Sequence, residues 1–460
     1  MMQGQLQRRL GAISAISITV GAVIGSGVFM KPLKVAQSMP SEWWIYVLWI
    51  GLGLVCLFGA FAYAELGAMF PEAGGQYAFL REGWGRGIAF LYGWTFFWII
   101  NSGTIAALSI AFAQNLLPLC GVDPGASPWA TTGLAVVMIL LLAFVNHFGV
   151  WVGAVLQNVS TFAKVGALAL IGIGGVLVAT GGGGDAVAPA AVGEARTELT
   201  LAGFVVAFTG IFWAYEGWYQ LPFNAAELKR PARDLPLGLI GGMVVLILVY
   251  VTINAIYLHV VPFAEMRSIA PDGNDLEVAR RTVSRAFSPD LAHYLTALVA
   301  ISVMGSANPN LLSSPRAFYA MANDGLVPRA LMAVHPRWGT PTVAIWTQAV
   351  CALAIVIAFS GASGFHDVTA YVVFAGFLFY ALTVAAVYRL RRRRPDAVRT
   401  YRCSGYPWTP ALFIAVAIAF VAALLLDEGE RKNALYGLAI IAVGVPCYFV
   451  AGRRRAPAAV

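Results

Sequence analysis

Twelve apolar stretches run through this chain, each near the roughly 20 residues that a helix needs to cross a bilayer. They fall near residues 11–30, 43–69, 88–117, 129–147, 155–179, 201–222, 236–260, 291–313, 341–360, 369–389, 409–426 and 434–451. Soluble domains carry roughly 25% charged residues. This chain carries 11%, with a mean hydropathy of +0.75. A water-soluble fold of 460 residues could not hide that much apolar surface, so the chain belongs in lipid. The pattern predicts an all-α membrane protein with twelve transmembrane helices in one domain over 1–460. An even number of crossings places both termini on one side.

Charge assigns the side. With the termini inside, inner segments hold 21 of the 30 lysines and arginines, from Arg8 and Arg9 to the cluster Arg391–Arg394 and Arg453–Arg455. Outer segments hold the rest, Lys31 and Lys34 among them. Such a bias predicts cytoplasmic termini. The net charge of +8 is spread over helix ends and not along one face, which argues against nucleic acid. The N-terminal MMQGQLQRRL precedes an apolar segment without a small-residue cleavage site, and is read as a retained tail before the first span. The longest loops are the stretch from Gly181–Asp185 to Leu199, segment 261–290, and the basic segment 390–408. The last fits a topology anchor, or a site for phospholipid headgroups.

Several chemistries lack their residues. Cys56, Cys120, Cys351, Cys403 and Cys447 form no CxxC pair, and His147, His293 and His366 have no partners at metal spacing. No GxxxxGK[ST] loop occurs. No metal or cofactor is therefore expected, and no enzyme, which would show a clustered nucleophile, base or ligand set.

Two of the apolar stretches are interrupted. The first reads Gly21-Ala22-Val23-Ile24-Gly25-Ser26-Gly27-Val28-Phe29, and the sixth Phe212-Trp213-Ala214-Tyr215-Glu216-Gly217-Trp218. Unwinding a helix in mid-membrane frees amides and carbonyls that lipid cannot satisfy, so it persists only where those groups line a cavity or meet a ligand. Glycine also lets a ligand approach the backbone. The amides of Ser26 and Gly27 would open the second half of the first helix, where the dipole favours a carboxylate. Carbonyls near Val23, Ile24 and Trp213 would suit an ammonium. Together they describe a receptor for a zwitterion, an α-amino acid. For the GxG alone, close helix packing is the competing explanation.

The residues 21–29 resemble the helix 1 signature of the amino acid–polyamine–organocation (APC) superfamily. Tyr63-Ala64-Glu65-Leu66-Gly67, with Pro71, Gly74-Gly75, Tyr77 and Glu82, is similar to its helix 2–loop signature. Trp213–Trp218, Glu227-Leu228-Lys229-Arg230-Pro231 and Leu235-Pro236 resemble the L-amino-acid transporter branch, as do Ser314-Pro315-Arg316, Asp324–Pro328, His335-Pro336 and Thr340-Pro341. The match covers about residues 10–390. It implies a bacterial permease of the inner (plasma) membrane with the LeuT-type 5+5 inverted repeat. Repeat one spans about 10–180, repeat two about 200–390, and two extra helices occupy about 409–451. It also implies sodium-independent uptake or exchange of amino acids. Carried over residue by residue, the family pattern puts the Val23 carbonyl on the α-amino group and the Ser26 and Gly27 amides on the carboxylate, with Ile24 and Gly25 between them in the substrate site. Trp213 becomes the cap and gate, with Ala214, Tyr215, Glu216 and Gly217 beside the ammonium and Asn308 on the pocket side, although Pro309 follows where the branch often has glycine. Some branch members in animals have a glycoprotein partner tethered through a cysteine between helices 3 and 4. Cys120 does not match that position, and no obligate partner is expected.

Ionisable residues within spans are costly and usually functional. Glu216 could pair with a cationic substrate, take up and release protons, or simply cap amides freed by the break. Lys164 sits about nine residues into the fifth stretch, ~13 Å along its axis. It could snorkel to headgroups. In the family a lysine here occupies the space of a coupling sodium, its ammonium reaching the broken helix 1. Glu65 is expected at an inner gate, and Glu227 and Asp234 in exposed ion pairs. The leading reading is an exchanger or facilitator of L-amino acids. A proton-coupled symporter of cationic amino acids or polyamines is the alternative, and a channel or membrane enzyme the reading from another class.

Overall fold

A computed structural model describes residues 10–71, 74–148, 150–181, 198–269, 275–359 and 364–453. Their order is α1 (Ala12–Val23), α2 (Gly27–Ser38), α3 (Trp43–Met69), α4 (Gln76–Trp84), α5 (Arg86–Thr95), α6 (Ser102–Leu116), α7 (Pro128–His147), α8 (Val150–Ala179) and α9 (Leu201–Tyr215). There follow α10 (Pro231–Val260), α11 (Phe263–Ser268), α12 (Glu277–Ala286), α13 (Pro289–Asn323), α14 (Thr342–Ala358), α15 (Gly364–Arg393), α16 (Trp408–Leu426) and α17 (Arg431–Arg453). A π-helical turn, Phe96–Asn101, joins α5 to α6, and a 3-10 turn, Leu221–Glu227, follows α9.

Among the described residues, nine helices are long and apolar enough to cross a membrane, and the pair α1 and α2, bent by 48°, makes a tenth. Helices α9 and α14 are apolar but shorter, with 15 and 17 residues. Large apolar side chains such as Phe162, Val165 and Leu248 point outward, 78%, 60% and 63% exposed. In water that would be a liability; against acyl chains it is a match. The inner faces are closed by small residues. A Cβ on Gly242 would lie 2.6 Å from the Thr19 side chain, and one on Gly175 2.6 Å from Ile256. Such close approach drives helix association where lipid gives no hydrophobic incentive.

Contacts sort the loops onto two ends of the bundle. At the end carrying Leu10, the Leu10 amide donates to Glu227 O and the Lys229 amide to Leu10 O, making a short parallel bridge between Leu10 and Leu228. There too Arg81 pairs with Asp324, Arg394 with Glu82, and Tyr448 packs on Phe90. At the opposite end Gln37 donates to Ile269 O, Lys34 pairs with Asp275, and His366 meets Glu430 at 2.8 Å.

Several expectations need correction. Segment 261–290 is not a plain loop: it holds α11 and α12, tied together by Glu265 with Arg281 and Arg285. The stretch near 291–313 continues as helix to Asn323, started by the Ser288 hydroxyl, which accepts the Leu291 amide. Lys31, counted as an outer-loop cation, is buried in α2. Asp234 makes no exposed pair; it is buried and accepts the Arg230 amide as a cap on α10. Residues 1–9, 182–197 and 454–460 lie outside the described residues, and with them Arg8, Arg9, most of the Gly181–Leu199 segment, Arg454 and Arg455. The side chains of Ser314, Pro315 and Arg316 do too.

Candidate functional site

Helix α1 stops where Ile24 turns extended, at φ −65° and ψ 105°, and α2 begins at Gly27. The amides of Gly25 and Ser26 donate to no backbone carbonyl among the described residues, and those of Gly27 and Val28 precede the first bonds of α2, which run from the Phe29 and Met30 amides to Ser26 O. Helix α9 stops in the same way. Glu216 is extended, and Gly217 adopts φ +104°, which favours glycine. A Cβ there would also lie 2.9 Å from Ala22 O, so the two breaks lie against each other.

Three side chains hold the breaks in register. The Tyr250 hydroxyl on α10 lies 2.8 Å from Ala214 O and 3.3 Å from Val23 O, within donating distance of the last turn of each broken helix. Trp213 Nε1 donates to Ser26 Oγ at 3.1 Å. Lys164 Nζ on α8 donates to Gly21 O at 2.9 Å, and the residue is only 3% exposed. Snorkelling therefore does not describe Lys164; it points inward, onto the end of α1.

A small cavity lies between the breaks. Val23, Gly25, Ser26, Gly27, Trp213, Glu216 and Gly217 line it, all singled out from the sequence. Ala22, Thr104, Leu108, Gln220, Ser306 and Asn310 complete the wall. The remaining expected residues lie behind it. Ile24 presents its carbonyl to Ser306 Oγ at 3.5 Å. Ala214 packs against Gly27, where an added Cβ would be 2.3 Å from its Cα. That close contact means the packing explanation for GxG also holds, at its second glycine. Tyr215 points away, its hydroxyl donating to Trp49 O.

Asn308 is corrected. It is fully buried and accepts from Asn146 Nδ2 of α7 at 2.7 Å, while the pocket asparagine is Asn310, two residues further along α13. Asn310 Oδ1 accepts from Gln220, and its backbone carbonyl accepts from Asn101 in the π-turn. A two-residue shift rotates a helical side chain by ~200°, which no motif match could resolve on a 35-residue helix.

Glu216 lines the cavity, and its Oε1 accepts from the Tyr380 hydroxyl of α15 at 2.6 Å, not from an amide of the break. Glu65 sits elsewhere, near the Leu10 end of α3. Its carboxylate takes Arg391, Arg399 and the Cys403 amide, pinning the basic segment 390–408 to α3. Toward the opposite end, the edge of Trp213 meets Phe365, and Lys31 lies 4.1 Å over the Phe365 ring. Those outer-layer contacts and Tyr250 had no signal in the sequence beyond a buried aromatic or a misplaced lysine.

The amino acid permease family profile matches residues 10–445. The chain belongs to the amino acid permease family. Among the relatives of this permease, the serine/threonine exchanger SteT of Bacillus subtilis is 29% identical over 98% of both chains. The b(0,+)-type amino acid transporter 1 of Homo sapiens is 28% identical, covering 97% of this permease and 88% of that protein. The large neutral amino acids transporter small subunit 2 of Oryctolagus cuniculus is 30% identical, covering 97% and 80%. Family and relatives are carriers of amino acids, not enzymes, and the apolar helices make this permease a multi-pass membrane protein.

Proposed function

We propose that this permease carries L-amino acids across the plasma membrane by alternating access, as a sodium-independent exchanger or facilitator. The observation that carries the reading is the pairing of two helix breaks around one cavity. The unpaired amides of Gly25 and Ser26 face a carboxylate, and the carbonyls of Val23 and Trp213 an ammonium. A carbonyl already accepting from Tyr250 retains a second lone pair for the substrate. Gln220, Thr104 and Asn310 add hydrogen-bonding groups that suit a short polar side chain. Sodium independence rests on Lys164, whose ammonium stands at Gly21 O, where it supplies the positive charge that a coupling cation would bring.

In this reading the permease is one domain of twelve crossings, counting α9 and α14 as spans and α1 with α2 as one. The order follows two five-helix repeats, about 10–180 and 200–390, with helices at 409–451 added. The arginine-rich end that carries Leu10 faces the cytoplasm, and the permease works without an obligate protein partner.

Reconstituted into liposomes, the protein should take up labelled serine, threonine or alanine faster when unlabelled amino acid is inside, and equally in sodium or choline buffer. Uptake that collapses when sodium is removed would overturn the role of Lys164; uptake indifferent to internal substrate would overturn exchange. The second reading, a proton-coupled symporter of cationic amino acids or polyamines, draws on one observation, the Glu216 carboxylate on the cavity wall. Replacing Glu216 with Gln should then depress arginine uptake at least tenfold more than alanine uptake. An unchanged ratio removes charge recognition.

A further inference from the structure

Behind Glu216, away from the cavity, lies a patch of buried polar groups that the transport cycle described above does not use. Tyr380 of α15 donates to Glu216, and Tyr219 lies beside both. Cys56 and Tyr63 on α3 and Tyr92 on α5 also lie within electrostatic reach of the carboxylate. One turn further along α15, toward the Leu10 end, Thr383 accepts from Gln76 Nε2 at 3.0 Å. Gln76 is the first residue of α4, in the connection between α3 and α5. Tyr63 and Tyr92 are fully buried; the Tyr63 hydroxyl lies beside Thr383, while the Tyr92 hydroxyl and Gln76 Oε1 have no hydrogen-bond partner among the described residues.

Two orphaned polar atoms in one buried patch demand an explanation, since each costs ~1–3 kcal/mol of desolvation when unpaired. The rings themselves are well seated, Tyr63 edge-on to Trp218 at 4.7 Å and Tyr92 against Phe379 at 5.6 Å. Hydroxyls and an amide oxygen in such an arrangement are what ordered water uses, given two to four polar partners per molecule. A hydroxyl can accept a proton on one lone pair while giving up its own. Strings of such groups leading from an intramembrane carboxylate are how membrane carriers move protons.

We propose that Tyr380, Tyr219, Tyr92, Tyr63, Thr383 and Gln76, bridged by water, form a proton path between Glu216 and the end of the bundle carrying Leu10. The proton exchanges with the Glu216 carboxylate through the cavity when that is open to the opposite end, and along this path toward the Leu10 end, so one proton can move with each amino acid. This deepens the symport reading of Glu216 and rests on the same site.

The test uses the full-length protein in liposomes containing trapped pyranine. Wild type should acidify or alkalinise the lumen when substrate is added under a substrate gradient, in sodium-free buffer. The double variant Tyr63→Phe, Tyr92→Phe keeps both rings and removes both hydroxyls. It should slow the proton signal and net uptake at least tenfold while leaving counterflow exchange, which needs no net proton release, within twofold of wild type. Thr383→Val is the second variant, should the double one not fold; it should show the same split. Counterflow itself reports on amino-acid carriage, so its failure in wild type would sink the transport reading and not this one. Counterflow without any substrate-dependent proton signal, or variants in which proton movement and exchange fall together or not at all, would overturn the path.

Discussion

Glu65 of α3 and Arg391 of α15 form a two-pronged pair, Arg391 Nε to Oε1 at 3.0 Å and Nη2 to Oε2 at 2.6 Å. The carboxylate is buried and also takes Arg399 and the Cys403 amide. Removing the charge from one side leaves cations without their partner, a change worth about 3–5 kcal/mol in buried settings. Glu65→Gln should therefore lower the unfolding temperature in detergent markedly. Arg391→Lys, which keeps the charge but loses the fork, should fall between that variant and wild type. Equal melting of all three would show that the pair carries no net stability.

Gly27 and Gly21 should answer alanine differently. A Cβ on Gly27 would lie 2.3 Å from the Cα of Ala214, backbone that cannot swing aside, whereas nothing lies within 4 Å of a Cβ on Gly21. Gly27→Ala is expected to force α2 off α9 and cut uptake at least tenfold with the protein still in the membrane. Gly21→Ala should keep uptake near wild type and gain ~0.5–1 kcal/mol of helix stability. Uptake assays with surface-expression controls distinguish them.

Trp213→Phe keeps a ring against Phe365 but deletes the hydrogen bond to Ser26. At ~1 kcal/mol for such a bond, the KM for a neutral amino acid should rise about fivefold. Ser26→Ala should cost a similar amount, and the double variant little more than either single one, because both singles delete the same bond. Additive losses would mean that the two residues act separately.

The connection between α16 and α17 should give the permease an acid limb. Burial alone would raise the Glu430 carboxyl, but the hydrogen bond and charge of His366, with help from Asn433 and Lys31, hold it below its ordinary value of 4.5. A depressed carboxylate contributes stability that is present above that ordinary value and lost as pH falls through the folded one. The melting temperature of wild type should decline as pH drops below about 4.5, and Glu430→Gln should flatten that part of the profile.

The breaks were legible because glycines crowd together in the first stretch and a glutamate stands beside a glycine in the sixth, and Gly25, Gly27 and Gly217 each meet the cavity or the opposite broken helix. Lys164 was legible as a cation too deep for comfort, and its partner Gly21 O lies on the helix expected. Long-range pairings were not. The 326 positions separating Glu65 from Arg391 carry no periodic signal, and a lone glutamate near a helix end reads as a gate or a cap. Asn310 was missed because helical phase decides which of two asparagines two residues apart faces inward, and a motif match does not report phase. The π-turn at Phe96–Asn101 was invisible for the same reason: it is a change in winding with no special residue to announce it.

The short bridge at Leu10 has a mechanical consequence. Its two backbone hydrogen bonds fasten the entry of α1 to the strip that follows the break in α9. The half-helix α1 and the 3-10 turn after Glu216 are thus yoked, like two oars on one handle. Neither can tilt to open that mouth of the cavity unless the other travels with it, or the yoke first lets go.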